Sequence, residues 1–270
     1  MRSTDGRIVR TNGIDTYVDV QGDGPWLVLS HSLACDHTMW DDQIDALARD
    51  YRVVRYDTRG HGRSSASDGI YSLDLLAADL DALLDALDIE KTHLVGLSMG
   101  GMISQIFALE YPSRIHTLTL CDTSSAYSDA VAPVWQERIR AAEIEGMAAL
   151  AEPTVERWFT ERFHRASPAA IRRFRDLVAG TSLKGYAGCS EAILQIRATE
   201  RLNEISVPVL VVVGEHDQGT PVEMAQIIHD NILASELAII DDSAHFPNVE
   251  QPAAFTKVLL EFLDKHPSDG

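Results

Sequence analysis

Apolar positions in the first half of the chain switch repeatedly between two periods. Residues 8–10 and 17–20 flank Asn12-Gly13, a turn pair that suits a hairpin. Residues 26–29 form a short apolar run after Gly24-Pro25, as a buried strand does. Ile44, Leu47 and Ala48 follow helical spacing, and residues 51–56 read as another strand. Leu73, Leu76, Ala77, Leu80, Leu83, Leu84 and Leu87 draw one apolar stripe, which predicts a long helix with its aspartates on the other face. Residues 92–95 and 118–121 read as strands, separated by a helix over about 100–110. Strand and helix in alternation predict a parallel sheet covered on both faces.

The rhythm changes after Asp122. Residues 124–201 carry helical patterns and no convincing strand, with Trp135, Ile139, Trp158, Phe159, Phe163, Phe174 and Leu177 as the larger apolar side chains. It returns with a strand over 207–213, a helix over 222–231, a strand over 236–240 and a helix over 253–264. The simplest reading is an α/β core formed by residues 1–123 and 202–270, interrupted by a helical cap over 124–201.

Composition narrows the class. At 270 residues the chain is one to two domains, and 45% hydrophobic with 24% charged residues is the balance of a globular protein. No stretch approaches the ~20 apolar residues of a spanning helix, so no membrane partner is expected. Residues 1–6 are a polar run without an apolar signal core, and a cytoplasmic location is expected. A net charge of −18 repels phosphate backbones, which argues against nucleic acid. Cys35, Cys121 and Cys189 are odd in number and widely spaced, giving neither a disulfide framework nor a zinc signature. The histidines form no close ligand pairs, and no metal is expected.

Gly96-Leu97-Ser98-Met99-Gly100 is the strongest chemical signal. Gly-x-Ser-x-Gly between an apolar strand and a helix is the pattern of a nucleophile elbow. A serine on that sharp turn projects its hydroxyl above the sheet edge, and the helix start aims N–H groups at an anion. The hydroxyl needs a base, and the base needs an orienting acid. Asp217 follows the strand over 207–213 and His245 follows the strand over 236–240, in the order acid then histidine. Asp122 also ends a strand and competes for the acid role; a cap or turn aspartate is the preferred reading for it, with Asp217 ahead. The Met99 N–H and the Leu33 N–H, from Ser30-His31-Ser32-Leu33-Ala34, are the expected oxyanion donors. His31 and Ser32 read as scaffolding and Cys35 as a small packed residue.

These residues resemble the α/β-hydrolase superfamily and, within it, the bacterial 3-oxoadipate enol-lactonase family. The likeness runs from about Ile8 to Phe262. It includes Arg55-Tyr56-Asp57-Thr58-Arg59-Gly60-His61-Gly62-Arg63-Ser64, the elbow extended by Gly101-Met102, and Asn248-Val249-Glu250-Gln251-Pro252. Within the insertion it includes Trp135, Gly146-Met147, Arg157-Trp158-Phe159-Thr160 and Gly185-Tyr186-Ala187. The chain departs from that family at His31-Ser32-Leu33-Ala34, Asp122, Phe246-Pro247 and Ile196-Arg197-Ala198.

The resemblance implies an eight-stranded, mostly parallel sheet with a helical cap. It implies cofactor-free opening of a lactone in aromatic catabolism, through an acyl-enzyme on Ser98. Trp135 and Trp158 are expected as pocket walls and Arg138 as a clamp for a substrate carboxylate. Other ester hydrolysis, perhydrolysis, carbon–carbon hydrolysis and a hydrolase-fold receptor stay open as alternatives. The expected partner is a small ester or lactone, and a homo-oligomer is left open.

Overall fold

The computed structural model describes residues 6–268. The polar run expected at residues 1–6 lies outside them except for Gly6. Eight strands form one sheet: β1 (Arg7–Thr11), β2 (Ile14–Gln21), β3 (Trp26–Ser30), β4 (Arg52–Tyr56), β5 (Thr92–Leu97), β6 (Ile115–Cys121), β7 (Val209–Gly214) and β8 (Ser235–Ile240). Their order is β1-β2-β4-β3-β5-β6-β7-β8. The β1–β2 and β2–β4 pairs are antiparallel, and the remaining neighbours are parallel. The chain is thus an α/β protein with the mostly parallel eight-stranded sheet expected.

The central strands are apolar at consecutive positions because both sheet faces are covered. Leu27, Val28 and Leu29 of β3 are fully buried, as are Leu94 and Val95 of β5. The covering helices include α1 (Asp41–Leu47), α2 (Leu73–Ala86) and α3 (Met99–Glu110). The Ser72 hydroxyl caps α2 by accepting the Leu75 N–H, and the leucine stripe faces the core. One expectation fails here. Asp79 lies on the buried face of α2, because Arg59 reaches it with Nε at 2.7 Å and Nη2 at 2.6 Å. That bidentate pair satisfies a carboxylate that the helical pattern alone assigns to solvent.

Between β6 and β7 run α4 (Ala132–Glu145), α5 (Met147–Trp158), α6 (Glu161–Ala166), α7 (Pro168–Gly180) and α8 (Leu183–Leu194). The two ends of this segment are held together. Ala126 and Arg197 form an antiparallel bridge, the Ala198 N–H donates to Ser125 O at 2.7 Å, and the Ser125 and Thr199 hydroxyls meet at 2.7 Å. After β7 come α9 (Val222–Asn231), then β8, α10 (Pro247–Glu250) and α11 (Pro252–Lys265). Among the described residues no helix is long and apolar enough to cross a membrane.

Candidate active site

Ser98 sits between β5 and α3 with φ 56° and ψ −114°, a backbone conformation that side-chain-bearing residues rarely adopt. Its surroundings hold it there: the Ser98 N–H donates to Cys121 O at 2.9 Å, and the Thr123 hydroxyl donates to Ser98 O at 2.8 Å. Gly96 and Gly100 permit the turn. A Cβ at Gly96 would strike the Gly100 carbonyl, and one at Gly100 would strike the carbonyls of Ser30 and His31.

The structure brings Ser98, His245 and Asp217 into one hydrogen-bonded row. Ser98 Oγ lies 2.9 Å from His245 Nε2, and His245 Nδ1 lies 2.8 Å from Asp217 Oδ2. Burial alone would raise the Asp217 carboxyl. The adjacent imidazole, the Thr220 hydroxyl at 2.7 Å and the Gly219 N–H at 2.8 Å outweigh it and hold Asp217 at about 2. An ionised Asp217 requires His245 Nδ1 to be the donor. Nε2 is therefore the acceptor that faces the Ser98 hydroxyl.

Leu33 lines the same cavity as Ser98, and Met99 follows Ser98 at the start of α3. Among the described residues the Leu33 and Met99 backbone N–H groups donate to no protein acceptor. Two buried histidines shape the Leu33 loop. His31 Nε2 accepts the Thr58 N–H at 2.8 Å, and His61 Nε2 accepts the Ala34 N–H at 3.1 Å. Ala34 is thereby fixed at φ 57° directly after Leu33. Burial and the neighbouring His31 lower His61 to about 3, and burial lowers His31, so both rings are neutral acceptors at neutral pH. Through its bond to the Thr58 N–H, His31 ties its own loop to the segment after β4.

The row opens into a cavity of about 230 Å³, lined among others by Ser32, Leu33, Trp135, Arg138, Arg157, Trp158 and Tyr186. Trp135, Trp158 and Arg138 thus line the same cavity as Ser98, with Arg138 stacked 5.2 Å from the Trp135 ring centre. Arg157 of α5 and Tyr186 of α8 line the same cavity, which their spacing in the sequence does not reveal. Burial and the like charge of Arg138 lower Arg157, so two guanidinium groups share one cavity of a strongly acidic protein. Cys35 is a buried free thiol, raised by burial.

Asp122 differs from the expected cap or turn aspartate. It is buried, accepts the Gly214 N–H at 2.9 Å and borders the Asp217–His245 pair. A second converging group, Asp36, His37 and Asp57, could offer ligand atoms to a cation. Its carboxylates are engaged with donors, since Asp57 accepts from the His37 N–H, His37 Nδ1 and the Arg63 N–H, and Asp36 accepts from Thr38.

Residues 25–252 match the family model described as the alpha/beta hydrolase fold. The chain belongs to the alpha/beta hydrolase family. It is 38% identical over 235 residues to 3-oxoadipate enol-lactonase 2 of Acinetobacter baylyi, covering 87% of each chain. It is similar in structure to the enol-lactonase of Burkholderia xenovorans LB400, with a TM-score of 0.92 at 35% identity over 96% of this chain and 100% of that one. The malate-bound thermophilic esterase of Thermogutta terrifontis gives a TM-score of 0.92 at 30% identity over 97% and 100% of the two chains.

In this hydrolase a further carboxylate joins the helical segment to the histidine loop. Glu250 of α10 accepts the Ala244 N–H at 2.7 Å through one oxygen. Through the other it accepts the Thr160 hydroxyl at 2.6 Å and the Thr160 N–H at 3.1 Å. The sequence shows Glu250 only as part of a shared run; its role depends on α10 folding back beneath residues 158–160.

Proposed function

We propose that the protein is a serine ester hydrolase that opens a small, carboxylate-bearing lactone, with 3-oxoadipate enol-lactone as the leading substrate. Residues 1–123 and 202–270 act as its catalytic core and residues 124–201 as its cap. One observation carries the reading: the Ser98–His245–Asp217 row faces a cavity that also holds two guanidinium groups.

His245 Nε2 takes the Ser98 proton as Oγ attacks the ring carbonyl. Asp217 fixes the imidazole by its bond to Nδ1 and stabilises the cation that forms. The Leu33 and Met99 N–H groups receive the oxyanion. Loss of one such donor costs roughly 10²–10³ in turnover in comparable sites. Collapse breaks the ring C–O bond, and the imidazolium returns its proton to the departing oxygen, which stays tethered to the acyl group. Water then attacks the acyl-enzyme with His245 as base, and the ring-opened acid leaves with Ser98 restored.

Arg138 and Arg157 supply local positive charge that offsets the field of a protein with net charge −18. Their forks suit a carboxylate, while Trp135 and Trp158 cover the apolar part of the ring. The test is a comparison of 3-oxoadipate enol-lactone, its methyl ester and p-nitrophenyl acetate. The reading expects the highest kcat/KM on the free carboxylate, and equal values on all three would reduce the protein to a general esterase.

A further inference from the structure

Asp122 stands beside the triad and takes no part in the steps above. It follows β6, is 1% exposed, and accepts the Gly214 N–H through Oδ1 at 2.9 Å. Its Oδ2 is buried and, among the described residues, meets no N–H or O–H donor. Asp122, Asp217 and His245 each place an atom within 4.8 Å of the other two. Two carboxyls therefore share one buried site, and like charges that close do not both ionise.

The donors decide which one keeps its proton. Asp217 accepts from the Gly219 and Thr220 N–H groups, the Thr220 hydroxyl and His245 Nδ1. Among the described residues Asp122 accepts from the Gly214 N–H alone. A buried carboxylate needs donors on its oxygens, so the charge resides on Asp217.

We infer that Asp122 is a neutral carboxylic acid whose Oδ2–H donates to the Asp217 carboxylate and holds it in line with His245. Asp122 acts through Asp217 and is a positioning residue. Its role in turnover rests on the ester-hydrolase reading, whereas its protonation does not. Burial, then the charge of Asp217, push the Asp122 carboxyl well above the usual range; the Gly214 N–H opposes this and Glu250 of α10 adds to it. Cys121, next along β6, is a buried thiol that is itself raised.

An amide at position 122 can keep both bonds, with its oxygen accepting from Gly214 and its nitrogen donating to Asp217. The experiment is infrared difference spectroscopy of the full chain at neutral pH, wild type minus Asp122→Asn, together with steady-state kinetics. We expect a protonated-carboxyl C=O band in the difference that shifts in D₂O. We also expect Asp122→Asn to keep kcat within about twofold, and Asp122→Leu, which removes both bonds, to lower kcat about tenfold or more at similar KM. Absence of the band, or a kcat loss of about tenfold in the Asn variant, would overturn the inference. Near wild-type kcat in a folded Asp122→Leu would overturn the positioning role. The band is read without substrate, so a wild-type protein inactive on esters would count against the ester-hydrolase reading alone.

Discussion

The backbone N–H of His245 donates to the carbonyl of Trp158 at 3.1 Å, so the histidine beside Ser98 is anchored by the helical segment as well as by its own loop. The Trp158 ring lies 6.5 Å from the imidazole and 4.9 Å from Phe246, centre to centre. Phe174 continues the aromatic cluster at 5.1 Å from Phe246. The segment that lines the cavity therefore also sets the position of His245.

Glu250 is the polar half of that attachment. Glu250→Ala leaves the Ala244 N–H and both Thr160 donors without their acceptor. At about 1–3 kcal/mol for each buried orphan, with water relieving half-exposed Thr160, the variant should lose about 2–4 kcal/mol in urea unfolding. It should also lower kcat more than it raises KM, because His245 loses its alignment. Unchanged stability and kcat would show that the Trp158 bond suffices.

Asp217→Asn should lower kcat by about 10⁴, as loss of the correct imidazole tautomer does in other triads. Asp122→Asn should stay within about twofold, because its bonds to Gly214 and Asp217 survive the change. The reverse pattern in steady-state kinetics would move the acid to the end of β6.

Arg138→Ala and Arg157→Ala should each raise KM for a carboxylate-bearing lactone by about tenfold or more, the loss expected for a charge-assisted hydrogen bond. An uncharged ester of similar size should be nearly unaffected. Equal changes on both substrates would assign the arginines to packing alone.

Acid stability should carry the signature of His61. The unfolded chain takes up this proton near the ordinary value of 6.5, whereas the folded ring resists it down to about 3. Between those values the unfolded state binds more protons, so stability falls as pH falls, by up to roughly 1.4 kcal/mol per pH unit. His61→Gln, whose amide oxygen can still accept the Ala34 N–H, should flatten the fall in urea midpoint from pH 7 to 4 by that one-proton slope. His31 and His93, both lowered by burial, keep their share. An unchanged slope in His61→Gln would place the acid sensitivity elsewhere.

The readable parts of the fold were those with a local cause. Leu27-Val28-Leu29 declares a strand covered on both faces, and the leucines of α2 declare a helix lying on a core. The elbow is legible because its glycines, serine and helix start are contiguous, and Asp217 and His245 because each follows a strand in a fixed order. What escaped depends on residues distant in sequence. The burial of Asp79 is set by Arg59, 20 positions away. Arg157 and Tyr186 join Arg138 only when α5 and α8 pack with α4. His31 and His61 look like scattered histidines until backbone amides from residues 58 and 34 point at their nitrogens.

Acylation of Ser98 tests the central claim most directly. Intact-protein mass spectrometry after brief exposure to a fluorophosphonate, or to p-nitrophenyl acetate quenched in acid, reads it without knowledge of the natural substrate. We expect one adduct per chain on the wild type, mapped by peptide digestion to Ser98, and none on a folded Ser98→Ala variant that has also lost turnover. An adduct on another residue, or a Ser98→Ala protein that still hydrolyses the ester at near wild-type rate, would contradict the account.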